Sequence, residues 1–307
     1  MAFTAKDVQL LREKTGVGMM DCKKALTETD GDMEKAIDIL REKGLAAAAK
    51  KSSRIAAEGL VYAYVDQAKK VGVVIEVNSE TDFVAKNADF QAFVKKLAEI
   101  VVEKNPADIA SLLESDYEGS INVADTLREK ILVIGENLSI RRFVRYEGNA
   151  VAYVHGGGRI GVLVRFDADE KAAASEELQE CGKDVAMQIA ALSALYLNKE
   201  SVPGDAIAKE KEILIAQIKN DPKNASKPDQ IIQKMVDGRI GKYYENNCLL
   251  QQAFVKNGDI TVGQYVADMA KKAGGSMSVV EFVRFEKGEG LQKREDNFAD
   301  EVAGMIQ

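Results

Sequence analysis

Ala63-Tyr64-Val65 followed by Val71 to Val77 lies without a gap over Ala152-Tyr153-Val154 followed by Ile160 to Phe166. Glu58-Gly59 and Glu147-Gly148 precede the two stretches at the same offset, and Ser139 to Glu147 matches Ser278 to Glu286. A chain that repeats itself in this way is expected to fold into two related units. The repeated pieces read as strands, because apolar residues recur with a period near two: a hairpin, then helices, then a third strand in each unit. The period is far too long for a solenoid, and strands packed on helices give an α+β class.

Around this duplicated core the periodicity is helical. Thr4-Ala5-Lys6-Asp7 opens a first helix with a near capping box, and Thr15-Gly16-Val17-Gly18 breaks it. Met19 to Leu26 starts a second helix; Met33, Ala36, Ile37 and Leu40 mark a third, with Gly44 read as its end. Ala46 to Ala57 reads as a short helix and a linker. Inside the second repeat, two charged helices flank Asn220-Asp221-Pro222 to Lys227-Pro228, an inserted antiparallel hairpin. A last amphipathic helix is expected after Gly288-Glu289-Gly290, with Phe298, Val302 and Met305 on one side. The expected boundaries are 1–56 for the helical bundle and linker, 57–147 for the first core unit, 148–196 plus 249–287 for the second, 197–248 for the hairpin and 288–307 for the C-terminal module.

Composition removes several classes of function. A formal net charge of -7 and a pI near 5.1 argue against nucleic acid or an anionic membrane as direct partner, since phosphate contacts need clustered Lys and Arg. The chain has one histidine, His155, so a multi-histidine metal site is impossible and a nucleophile–histidine–acid group is hard to build. Three widely separated cysteines give no disulfide framework and suit a reducing cytoplasm; the N-terminus reads as no signal peptide. No cofactor is expected. Gly156 to Gly161 spells G-x-G-x-x-G, but a strand and not a helix follows it, and the repeat places these glycines at a hairpin turn. His155-Gly156-Gly157-Gly158 resembles an esterase oxyanion loop without the G-x-S-x-G elbow such enzymes need, so His155 reads as a surface turn residue. No phosphate-binding G-x-x-x-x-G-K-[ST] loop occurs.

Glu76 to Asn87 holds the sharpest candidate. It starts as a buried strand and turns into a helix at Thr81-Asp82-Phe83-Val84, setting an acid beside a large aromatic. Spacing permits two readings of Phe83: first core residue of the helix, with Thr81 or Asp82 as cap, or an exposed probe for a partner. Spacing alone slightly favours the first. The second repeat keeps the strand but follows it with Asp167-Ala168-Asp169-Glu170, so the fold does not require the tetrapeptide. Met19 and Met20 are adjacent and point to different faces of a helix, which leaves one for the surface.

Two segments, Leu11 to Leu26 and Glu76 to Lys86, resemble the signatures of the bacterial elongation factor Ts family, and the duplicated core, the hairpin and the final helix are similar to that family throughout nearly the whole chain. The resemblance implies an N-terminal bundle of the ubiquitin-associated (UBA-like) type, a two-part core and a dimerisation hairpin. It implies a non-enzymatic role in the cytoplasm: guanine-nucleotide exchange on elongation factor Tu. Thr81, Asp82, Phe83 and Val84 would press against that GTPase and disturb its magnesium site, Arg12, Met19 and Met20 would grip the same domain, and His155 would lie against another. A homodimer or a 2:2 complex through the hairpin is the further implication. Two other classes compete: a ubiquitin-type adaptor, which leaves the duplicated core unexplained, and a small-molecule enzyme, which needs a pocket with convergent polar groups.

Overall fold

The computed structural model describes residues 3–119, 121–224 and 227–292; the greater part of the expected last helix, with Phe298, Val302 and Met305, lies outside them. The chain begins with α1 (Ala5–Thr15), α2 (Met19–Glu28) and α3 (Met33–Lys51). Thr4 and Asp7 cap α1 reciprocally, and Gly16, left-handed at φ 67°, closes it. Val8, Leu11, Cys22, Leu26, Ala36 and Leu40 meet in a small core of their own. Gly44 does not end α3. The helix runs on through the alanines 46 to 49, strong helix formers, to Lys51. Gly44 instead sits where α3 comes close to the backbone of Arg128, 3.6 Å from where its Cβ would be.

The first unit of the core comprises β1 (Glu58–Asp66), β2 (Val71–Ser79), a single helical turn α4 (Asp82–Ala85), α5 (Ala88–Lys104), α6 (Ile109–Glu114), a ribbon β3 (Asp116–Glu118) and β4 (Ile121–Asn122), α7 (Val123–Ile134) and β5 (Ser139–Glu147). The second unit repeats the plan with β6 (Asn149–His155), β7 (Ile160–Ala168), α8 (Glu170–Ala173) and α9 (Glu176–Leu192). The inserted hairpin α10 (Gly204–Asn220) and α11 (Asp229–Asn247) follows, then β8 (Ala253–Phe254), β9 (Asn257–Thr261), α12 (Val262–Ala273) and β10 (Met277–Glu286). The correspondence reaches single residues. Helices α5 and α9 each have 17 residues and end on a left-handed non-glycine, Asn105 and Ser193. Helices α7 and α12 each have 12 and end on left-handed Gly135 and Gly274.

Each unit forms a three-stranded antiparallel sheet, β1-β2-β5 and β6-β7-β10. Both carry a bulge at the same place, opposite Glu76/Val77 in one and between Val279 and Glu281 in the other. Beside it lies a cross-strand ion pair whose signs are exchanged: Glu76 with Arg142, Arg165 with Glu281. The two sheets pack face to face through Val61, Val74, Ala150, Leu163 and Phe285. The other face of β2 sends Val71, Val73, Ile75 and Val77 against Phe90, Phe93 and Leu97 of α5, and β7 does the same against α9 and α12. Alternation with apolar cover on both sides explains why β2 is buried along its whole length. Gly72 and Gly161, equivalent positions, allow the sheets to approach: a Cβ on Gly72 would stand 2.7 Å from Leu163 Cδ1, and one on Gly161 would run into Val61.

The far end of the described chain is fastened back onto the first unit. The fully buried Glu76 carboxylate accepts hydrogen bonds from Arg142 Nε at 2.6 Å, Gly288 N–H at 2.8 Å, Arg141 at 3.0 Å and Asn78 at 3.1 Å. Lys287 pairs with Glu58, and Arg142 lies over the Phe285 ring at 4.1 Å. Burial alone would raise the Glu76 pKa, but the Gly288, Asn78 and Arg142 donors outweigh it and hold the carboxyl below its ordinary range. The hairpin has a separate core of Leu214, Ile218, Ile232, Val236 and Ile240, and its two ends meet where Tyr196 bridges Cys248. No helix among the described residues is long and apolar enough to cross a membrane.

Candidate functional site

Strand β2 delivers the chain to the corner and Glu80-Thr81 turn it. Helix α4 then makes one turn before Asn87, whose side chain accepts the N–H groups of Asp89 and Phe90, starts α5 afresh. This fresh start decides the fate of the aromatics. Phe90, in the first turn of α5, takes the core position and is fully buried; Phe83, on the isolated turn, is 80% exposed. The core reading of Phe83 is therefore overturned. A buried phenylalanine gains about 2 kcal/mol over an exposed one, so the corner must be held against the tendency to fold Phe83 inward.

The corner is held by carboxylates. Glu136 accepts from Thr81 Oγ1 at 2.6 Å, Thr81 N–H at 3.0 Å and Glu80 N–H at 3.1 Å. In return Glu80 accepts the N–H of Asn137 at 2.6 Å and pairs with Arg54. Thr81 thus occupies the N-cap place of α4 without capping it. Asp82 faces solvent beside Lys86 at 2.6 Å, and the hydrogen bond from Lys86 holds its carboxyl below the usual range. Val84 packs against the core of the first unit. A shallow groove lined by Phe83, Val84, Lys130, Val133 and Ile134 runs beside the corner onto the last turns of α7, where Val133 is also exposed.

The remaining sequence candidates lie on other parts of the molecule. Arg12, Met19 and Met20 flank the turn between α1 and α2 and are exposed, Met19 to 44% and Met20 to 64%; both methionines face outward, one more than adjacency requires. His155 is exposed at the end of β6, beside the three left-handed glycines of the turn, with Tyr153 Oη 3.0 Å from its Nδ1. Sequence reasoning missed Glu80, Glu136 and Val133. Only Glu80 lay in a stretch already marked; nothing in the local pattern of Gly135-Glu136-Asn137 shows that the chain returns to the corner.

The comparisons with known proteins supply the class: the chain is a protein-synthesis elongation factor, for the family model of Elongation factor TS matches residues 80–289. Its relatives carry the same description. It is similar to Elongation factor Ts of Clostridium botulinum (strain Eklund 17B / Type B), 51% identical over 307 residues, and to those of Clostridium perfringens (strain 13 / Type A) and Clostridioides difficile (strain 630), each 50% identical over 306 residues. In every case 99% of both chains is covered. The chain belongs to the elongation factor Ts family.

Proposed function

We propose that the chain is a guanine-nucleotide exchange factor for elongation factor Tu: it binds the GDP-loaded GTPase, disturbs its magnesium site and promotes GDP release so that GTP can rebind. The observation that carries this reading is Phe83, exposed on a corner held by hydrogen bonds at both Glu80 and Thr81. A factor that binds the empty GTPase more tightly than the loaded one must, by linkage, weaken nucleotide binding in return. An aromatic driven between packed helices moves them in discrete steps, since close-packed interiors do not deform continuously. Phe83 supplies bulk, Val84 the packed base, and Thr81 and Asp82 the polar rim; no covalent step is needed. Arg12, Met19 and Met20 give a second hold on the same domain, with methionine adapting to an irregular surface, and His155 touches another domain. Neither nucleic acid nor membrane takes part directly, and the chain acts in the cytoplasm.

The test is release of mant-GDP from elongation factor Tu. Catalytic amounts of the chain accelerate it if the reading is right; an unchanged rate rejects the reading. The hairpin has a different part. It has its own core, and Ile213 and Ile231 remain exposed outside that core, which supports a contact with a second copy. Light scattering then gives a dimer for the full chain and a monomer when 199–245 is replaced by a flexible linker; a monomeric full chain contradicts the contact.

A further inference from the structure

The internal duplication separates what the corner needs as fold from what it carries beyond fold. In both units an acid at the end of the central strand holds the chain that leads into the last strand. Glu80 accepts Asn137 N–H at 2.6 Å, and Asp169 accepts Ser276 N–H at 2.6 Å. In the second unit Asp169 also caps α8 through Ala172 N–H at 2.8 Å. One side chain there does two tasks. The first unit has one residue more between strand and helical turn, Glu80 and Thr81 against Asp169 alone. The contact repeated in both units belongs to the architecture.

Glu136 has no counterpart in the second unit. Gly275 stands at its place, one before Ser276, and a Cβ there would collide with Asp169. The half-buried Glu136 carboxylate takes three donors from the two-residue turn that only the first unit has. A helix of four residues such as α4 has no stability of its own, so the direction in which it presents Phe83 depends on the backbone that enters it. We propose that Glu136 is a positioning residue for nucleotide exchange: it fixes Glu80 and Thr81 and thereby aims Phe83. Glu136 directly follows Gly135, the C-cap of α7, and α7 is the helix on which α3 of the bundle rests, through Gly44 against Arg128 and Lys51 on the Ile131 carbonyl at 3.2 Å. The same residue therefore ties the Phe83 corner to the support of the Arg12, Met19 and Met20 surface. The proposal rests on the exchange reading above.

One Glu136 oxygen takes both N–H groups and the other the Thr81 hydroxyl; Glu136→Gln keeps an acceptor for the N–H pair and turns its amide NH2 toward the hydroxyl, so it removes the charge from these bonds and reverses the one to Thr81. The experiment measures mant-GDP release from elongation factor Tu over a range of full-length factor, for wild type, Glu136→Gln, Phe83→Ala and the double variant, with folded fraction taken from thermal unfolding. Glu136→Gln is expected to lower the maximal release rate about tenfold, the scale of the charge assistance lost from these hydrogen bonds. The half-saturating concentration stays within about twofold, because the other contact surfaces remain, and in the Phe83→Ala background the substitution adds less than about twofold. Thr81→Val, which removes one donor and keeps the shape, moves the rate in the same direction by about threefold. A wild-type maximal rate in Glu136→Gln, an equal loss with and without Phe83, or a loss that only tracks folded fraction overturns the proposal. If Phe83→Ala itself exchanges like wild type, the underlying wedge reading fails first, and that outcome is distinct from the other three.

Discussion

Phe83 and Glu76 stand a few residues apart and break the usual rules of burial in opposite directions, one an aromatic in solvent and the other a carboxylate in the interior. Glu76 is tolerated because each of its oxygens meets donors: two arginines, an amide and a backbone N–H. Glu76→Gln leaves Arg141 without its carboxylate partner and Arg142 with Glu289 alone, and is expected to cost about 3 kcal/mol at neutral pH, measured by chemical denaturation. The sign of the pH dependence follows from a folded pKa below the ordinary 4.5. The contribution of the ionised group is complete above that value and is lost as pH falls through the depressed folded value, so wild type and Glu76→Gln converge in stability on acidification. An equal gap at all pH values contradicts this. Of these residues, the sequence marked the acid–aromatic corner but could not place Phe83. Helical spacing does not reveal that Asn87 restarts the helix, and the bonds to Glu136 and Gly288 join segments too far apart in the chain for local pattern to connect.

Among the elements, the two one-turn helices α4 and α8 show how one backbone plan carries two surfaces. The long helices after them correspond in length, caps and buried positions, and Lys171 stands in α8 where Phe83 stands in α4. Sheet-to-sheet contact depends on another repeated pair, Gly72 and Gly161. Gly72→Val would push Leu163 and Ala150 apart and is expected to destabilise the chain by about 2 kcal/mol in urea denaturation, with overpacking as the cause. A neutral result would mean that the sheets separate freely. The repeat makes hairpin, helices and third strand legible in the sequence, because strand alternation and helix caps are local. Helix α3 was misread because Gly44 signals a helix end by propensity, whereas here packing against α7 keeps it inside.

At the scale of the whole molecule, three exposed surfaces sit on separately cored parts: Arg12, Met19 and Met20 on the bundle, the Phe83 corner on the first unit and His155 on the second. The sheet-to-sheet core and the Glu76 cluster join the units, and α3 on α7 joins the bundle. Such a frame holds several surfaces at fixed spacing, and on the exchange reading this limits what must order on binding. This is the physical content of the exchange reading: remote surfaces supply affinity while the corner converts it into distortion of the nucleotide site. The most direct test is stopped-flow release of mant-GDP from elongation factor Tu with wild type and Phe83→Ala at saturating factor, alongside their thermal unfolding. An exposed side chain contributes little to stability, so unfolding should agree within about 0.5 kcal/mol, while truncation of a central aromatic contact should slow maximal release by at least about tenfold. Equal maximal release rates for the two, with both fully folded, would contradict the account.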